Sequence, residues 1–163
     1  MKLYHGSNMA VYEPQILISD RKLDFGTGFY LTSSLEQAER WAKLTAERRG
    51  IGVPTISVYE FDEAKLTELK ILKFEKANKK WLDFVVANRD NTIDDQKWDM
   101  VIGPVANDRT MPVIRLFIAK VYTAAETLRR LLPQKLHDQY TFKTQTALQF
   151  LKFQEVIENE FKR

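Results

Sequence analysis

Hydrophobic and polar positions along the chain follow the period of a helix in one stretch and favour a strand in the next. From Leu35 to Arg49 apolar residues recur at helical spacing, after hydroxyl residues that can cap a helix and before Gly50, which can end one. The run 55–61 is rich in β-branched and aromatic residues, which is typical of a strand. We therefore expect a helix over 35–49 and a strand over 55–61.

The same criteria predict the remaining elements. We expect strands over 2–5, 98–104 and 138–143, the first ended by a turn at 6–8 and the second by Gly103-Pro104. We expect helices over 74–89, 113–122 and 124–132, and a last helix from Thr144 through Leu151 and beyond. A polar loop is predicted over 91–96 and a fraying charged tail over 155–163. Strands and helices in this mixed order predict an α+β protein.

Length and composition bound the class of protein. A chain of 163 residues with 44% hydrophobic content fits one domain over 1–163, because it can bury a substantial core. The net charge of +3 neither implies nor excludes nucleic-acid binding. The absence of cysteine rules out disulfides and thiolate metal sites. No apolar run reaches the length of a signal sequence or a membrane span, so we expect a soluble cytoplasmic protein that has no membrane partner.

The stretch from Asp24 to Thr32 is the strongest candidate for chemistry. It contains two glycines spaced one residue apart, Gly26 and Gly28, followed at once by two aromatic residues and a β-type run. This pattern is typical of a loop that lets a backbone approach closely and then enters a strand. About twenty residues earlier His5 stands at the end of a predicted strand, where side chains often line a cleft.

Several familiar site types do not fit this sequence. The only two histidines are 132 positions apart and have no second ligand at metal spacing, so we predict no metal site. Gly-x-Ser-x-Gly is missing, and the glycine pair matches neither the Walker loop nor the three-glycine dinucleotide fingerprint. Taken singly, each candidate has a structural alternative. His5 and Tyr30 are often core residues, Asn107-Asp108 often forms a turn, and Gln139 could be an ordinary strand residue.

Four segments together carry a resemblance to a known superfamily. They are Tyr4 to Ser7, Asp24 to Thr32, 103–108 and 138–142. Their order and spacing resemble the His-Tyr-Glu arrangement of ADP-ribosyltransferases and, more closely, an uncharacterised bacterial domain family related to these enzymes. The resemblance implies an α+β fold in which a split pair of small, mostly antiparallel sheets surrounds an NAD cleft, with peripheral helices.

The resemblance also implies roles for single residues. His5 would bond a hydroxyl of the nicotinamide-side ribose, the backbone of Gly6 would face the carboxamide, and Tyr30 would stack on the nicotinamide ring. Gln139 falls where the superfamily has its catalytic glutamate, so the implied catalytic set is His5, Tyr30 and Gln139. Because Gln139 stands in place of this glutamate, the resemblance argues against synthesis of an ADP-ribose polymer. The implied NAD-binding set is His5, Gly6, Ser7, Arg21, Asp24, Gly26, Gly28, Tyr30, Asn107 and Asp108. Of these, Arg21 is a candidate partner of the pyrophosphate, because a guanidinium suits phosphate oxygens.

The implied activity is mono-ADP-ribosyl transfer from NAD, used as co-substrate without a metal, to a macromolecular acceptor of unknown type. The related family is often encoded in toxin–antitoxin pairs, so a toxin role and a cognate antitoxin partner are implied as well. Two alternatives stay open. One is a catalytically silent module that binds NAD or ADP-ribose, which the missing glutamate favours. The other is an NAD glycohydrolase, in which water is the acceptor.

Overall fold

The computed structural model describes residues 1–18, 22–90, 97–107 and 109–158. Within these ranges the strands are β1 (Lys2–Ser7), β2 (Phe29–Leu31), β3 (Thr55–Phe61), β4 (Ile71–Lys73), β5 (Met100–Pro104), β6 (Asp138–Phe142) and β7 (Leu151–Glu158). The helices are α1 (Leu35–Arg49), α2 (Lys79–Arg89), α3 (Met111–Ile118), α4 (Ala124–Leu131) and α5 (Gln145–Leu148), with a 3-10 helix at Glu63–Glu68.

The strands form two small sheets. One has the order β1-β3-β7 and is antiparallel throughout. The other has the order β2-β6-β5-β4, in which β2-β6 and β6-β5 are antiparallel and β5-β4 is parallel. The prediction of an α+β protein with two small, mostly antiparallel sheets is therefore confirmed.

Apolar side chains define four layers. Between the two sheets, Leu3, Tyr59 and Phe61 of one sheet meet Phe29, Leu31, Met100 and Phe142 of the other. On its far side the four-stranded sheet is covered by α2, α3 and α4 through Trp81, Leu82, Val85, Ile114 and Leu131. Helix α1 covers the far side of the three-stranded sheet, where Ala38 and Ala42 pack on Ile56 and Val58.

An isolated main-chain bridge links the two sheets beside the candidate site. Tyr4 of β1 and Thr32 just after β2 form a bridge in which each N–H donates to the other's carbonyl, at 2.9 and 3.0 Å. This bridge brings His5, the next residue of β1, close to the main chain of β2. The two halves of the predicted site therefore meet where the sheets join.

Helix α2 begins five residues later than its apolar pattern predicts. Asn78 caps it by accepting from the N–H of Trp81 at 3.0 Å, so Phe74 and Ala77 precede the helix. Phe74 instead follows β4, and its N–H donates to the Ile102 carbonyl at 2.8 Å. The apolar pattern starts too early because Phe74, which precedes the helix, packs in the same apolar cluster as Trp81. Neither β4 nor the 3-10 helix was predicted.

The predicted last helix is wrong beyond its first turn. Thr144 caps α5 as expected, but the helix ends at Leu148 and β7 follows. Strand β7 pairs with β3, with Phe153 opposite Tyr59, so a tertiary contact outweighs the helical spacing of Ala147, Leu148 and Leu151. The predicted polar loop over 91–96 and the last five residues of the predicted tail lie outside the described residues.

No helix in the described ranges combines the length and apolar character needed to cross a membrane.

Candidate functional site

His5 is held by two neighbours from β2. Its half-buried ring stacks on that of Phe29, with centroids 4.3 Å apart and planes 25° apart. Its Nδ1 lies 2.8 Å from the carbonyl oxygen of Tyr30. A carbonyl can only accept, so Nδ1 carries the proton in the neutral ring and Nε2 is left as an acceptor. The site therefore fixes both the orientation and the tautomer of this histidine.

The charge state of His5 follows from its surroundings. Burial lowers the pKa of His5 from 6.5 to about 4, the bond to the Tyr30 carbonyl opposes this, and the positive charge of Arg49 lowers the pKa further. The ring is consequently neutral at pH 7. At that pH Nε2 can accept a hydrogen bond from a hydroxyl group, and His5 is not a general acid.

The two glycines of the loop before β2 each have a steric reason. Gly26 has a φ of 75°, in the left-handed region that favours glycine. A Cβ on Gly28 would lie 2.5 Å from Cγ2 of Thr141 and 2.9 Å from the carbonyl oxygen of Phe142. The predicted close backbone approach is therefore present, and it is made to strand β6.

Tyr30 anchors this loop through its hydroxyl. The hydroxyl donates to the Gly26 carbonyl at 2.5 Å and accepts from the N–H of Phe25 at 3.1 Å. The ring is half-buried and packs beside the apolar cluster under α2, α3 and α4. Its contact with His5 is made by the main-chain carbonyl and not by the ring. The predicted stacking of this ring on nicotinamide stays a prediction.

Gln139 is buried on the same face of the four-stranded sheet as Tyr30. It is 2% exposed and lies opposite Gly103, two residues along β6 from Thr141, the partner of Tyr30. Its Nε2 donates to the Pro104 carbonyl at 3.4 Å, and its amide lies beside the carboxyl of Asp24, where it acts against burial to lower the pKa of that group. Because the amide nitrogen can only donate, Oε1 is the atom of this side chain that can accept from a ligand.

Asp24 joins four parts of the fold. One carboxylate oxygen accepts from the Arg89 guanidinium, through Nε at 3.0 Å and through Nη2, and the other accepts from the N–H of Ala106 at 3.1 Å. Burial raises the pKa of Asp24, while the charge and hydrogen bonds of Arg89 act in the opposite direction. The carboxyl thus links the glycine loop to α2, to the segment after β5 and to Gln139.

Of the other predicted residues, the structure describes Gly6, Ser7 and Asn107. A Cβ on Gly6 would lie 2.1 Å from the Ala38 carbonyl oxygen, so this glycine lets α1 pack closely on β1. Ser7 is buried and donates to Oδ1 of Asn8 at 3.4 Å. Asn107 shapes the turn before α3, since its Oδ1 accepts from the N–H groups of Arg109 and Thr110 at 3.0 and 3.1 Å. Arg21 and Asp108 lie outside the described residues.

Sequence reasoning missed three side chains that hold the site. Arg89 pairs with Asp24, which is 65 residues away in the chain. Lys143 donates to the carbonyls of Phe25 and Thr27 at 2.6 and 2.8 Å and so fixes the glycine loop to the end of β6. Asp138 accepts from the N–H and hydroxyl of Ser33, at 2.9 and 2.5 Å. Only Asp138 carried a signal, because it precedes Gln139 in a predicted strand.

The arrangement includes two neutral hydrogen-bond acceptors. Nε2 of His5 and Oε1 of Gln139 are both acceptors suited to hydroxyl groups. Across the part of the chain that is described, no three His, Asp or Glu side chains are grouped to hold a metal ion.

The profile of a family described as "Protein of unknown function (DUF3990)" matches residues 1–153. No curated protein and no solved structure matches the chain.

Proposed function

We propose from its side-chain geometry that this protein is a mono-ADP-ribosyltransferase. The chain belongs to the family DUF3990, whose function is unknown. The proposed enzyme cleaves the nicotinamide–ribose bond of NAD and transfers ADP-ribose to a macromolecule. The observation that carries this proposal is the neutral His5 with a fixed tautomer, placed beside the main chain of Tyr30. A ribose hydroxyl is a suitable donor for the remaining acceptor, Nε2.

Tyr30 supplies an aromatic surface for the nicotinamide. A flat ring favours a cationic heterocycle through stacking and cation–π attraction, worth about 0.5–2 kcal/mol. The two hydrogen bonds of the Tyr30 hydroxyl restrain this ring before any ligand arrives. Such preorganisation reduces the entropic cost of binding.

Gln139 contributes an acceptor for the ribose 2′-hydroxyl. Its Nε2 donates to the Pro104 carbonyl at 3.4 Å, which directs Oε1 away from that group. In the reaction the bond between C1′ and the nicotinamide nitrogen breaks, with its electron pair going to nicotinamide. The acceptor nucleophile then bonds to C1′ and releases a proton. A neutral amide gives the oxocarbenium-like transition state less stabilisation than a carboxylate, which supports slow transfer of single units.

A second candidate function is binding of NAD or ADP-ribose without catalysis. Two properties of Gln139 favour it: the side chain is uncharged, and only 2% of its surface is exposed. A nicotinamide-release assay separates the candidates. The transferase releases nicotinamide from NAD and labels macromolecules of a cell lysate, a glycohydrolase releases nicotinamide and free ADP-ribose only, and a binding module releases nothing.

The variant His5→Ala tests the site, with His137→Ala as a matched control because these are the two histidines of the chain. We expect His5→Ala to abolish nicotinamide release and His137→Ala to retain it. Nicotinamide release that is equal in the two variants would show that the cleft is placed wrongly. Cytoplasmic toxicity relieved by a cognate antitoxin is part of the same proposal. It predicts that overproduction arrests bacterial growth for the wild type and not for His5→Ala.

A further inference from the structure

The residues that follow β1 form a rigid corner around Asn8. This side chain is 1% exposed, and its Nδ2 donates to the Ile51 carbonyl at 3.1 Å. The main-chain oxygen of Asn8 accepts from the N–H of Val53 at 3.0 Å. Gly52 has a φ of 77°, and a Cβ there would lie 2.1 Å from that same oxygen. The loop after α1 therefore closes tightly over Asn8.

Asn8 holds the guanidinium of Arg49. Its Oδ1 accepts from Nη1 of Arg49 at 3.2 Å, and it also accepts from the Ser7 hydroxyl. Arg49 is otherwise exposed, and within the described residues its guanidinium has no carboxylate within 4.0 Å. A guanidinium carries five N–H donors. The amide of Asn8 therefore orients a cation whose charge no acidic group of the described chain neutralises by direct contact.

This cation lies at the end of β1 that carries His5. Ser7, which shares the Asn8 oxygen with Arg49, is two residues after His5 and so projects from the same face of β1. The positive charge of Arg49 also reaches the His5 ring, where it disfavours protonation. Because Asn8 directly follows β1, its bond to Arg49 places the guanidinium at the C-terminal end of this strand.

We infer that Arg49 binds an anion at this site and takes phosphate groups of a nucleotide-like ligand. The inference rests on the proposed function, under which the ligand is NAD and the anion is its diphosphate. A guanidinium matches two phosphate oxygens at once, which a lysine ammonium does not. The competing explanation is that Arg49 only complements the dipole at the end of α1. Arg48 occupies the same last turn, so it provides a matched control.

The test is calorimetric titration of ADP-ribose into the wild type, Arg49→Gln, Arg49→Lys and Arg48→Gln, with thermal unfolding to check folding. We expect Arg49→Gln to weaken ADP-ribose binding about tenfold or more and Arg48→Gln to change it less than about twofold. Arg49→Lys keeps the positive charge and loses the paired N–H donors of the guanidinium. Its affinity for ADP-ribose should lie between those of the other two variants. If Arg49→Gln does not fold, Arg49→Lys decides: weakening of about threefold or more supports the inference, and unchanged affinity overturns it.

The outcomes separate this inference from the proposed function. If the wild type binds ADP-ribose and Arg49→Gln binds it equally well, Arg49 is not the anion-binding residue, while the proposed function stands. If the wild type binds neither ADP-ribose nor NAD, the proposed function fails, and a titration with sodium pyrophosphate decides about Arg49. Pyrophosphate binding that Arg49→Gln removes would support the anion site, and no binding or binding that Arg49→Gln leaves unchanged would overturn it.

Discussion

His5 and Gln139, the first and last residues of the candidate catalytic set, are held by different kinds of neighbours. His5 is half-buried and is positioned by one ring stack and one main-chain carbonyl. Gln139 is almost fully buried and belongs to a network of charged and polar groups that includes Asp24 and Arg89. The His5 side therefore depends on two separate contacts, whereas the Gln139 side depends on a network whose members support one another.

The largest expected effect is at Asp24. We predict that Asp24→Ala lowers the free energy of unfolding by about 3 kcal/mol, because it leaves the Arg89 guanidinium and the Ala106 N–H without their acceptor. Denaturant unfolding measures this. Asp83→Ala is the control, since it removes an exposed pair with Lys79 and should cost about 0.5 kcal/mol or less. Equal losses of unfolding free energy in the two variants would mean that the buried network contributes no more to stability than the exposed pair.

The second effect is a pH dependence at His5. Its folded pKa of about 4 lies below the unfolded value of 6.5, so the unfolded chain binds a proton first as the pH falls. Stability is then fully present above pH 6.5 and is lost progressively toward pH 4, by at most about 3 kcal/mol. Unfolding measured across this range should show the loss in the wild type and in His137→Gln. In His5→Gln the contribution should disappear, and an unchanged pH profile there would contradict the assignment.

The third effect concerns the neutral residue at position 139. Gln139→Glu would place a second carboxylate against Asp24 and remove a donor, so we expect it to cost about 2 kcal/mol of stability. The double variant Asp24→Asn/Gln139→Glu exchanges the two functional groups, so the pair again consists of one amide and one carboxyl. Measured as a double-mutant cycle, the pair should show a favourable coupling of about 1 kcal/mol. Strict additivity would mean that the two side chains do not depend on each other.

The fold could be predicted from the sequence where its signals are local. Helix α1 was predicted correctly because Ser34 caps it and Gly50, in the left-handed conformation, ends it. Strand β7 was missed because it exists through pairing with β3, and no local pattern shows that contact. The short strand β4, which borders only β5, was missed for the same reason.

The candidate site divides in the same way. Gly26 and Gly28 lie in one loop directly before the strand that carries Tyr30, so the close backbone approach could be predicted from spacing alone. The contact between Asp24 and Arg89 joins residues 65 apart, and that of Lys143 with Phe25 joins residues 118 apart. Neither pairing has a sequence signal, because each depends on how β2, β6 and α2 are placed in space.

The smallest expected effect is the removal of the Tyr30 hydroxyl. Tyr30→Phe keeps the ring and leaves the Gly26 carbonyl and the Phe25 N–H without this partner, so we expect a loss of about 1 kcal/mol. Tyr12→Phe is the control, because that side chain is 64% exposed. If the ring itself is the surface for nicotinamide, Tyr30→Phe should retain NAD binding and Tyr30→Ala should lose it. Equal loss in both variants would assign the role of Tyr30 to the anchored loop and not to stacking.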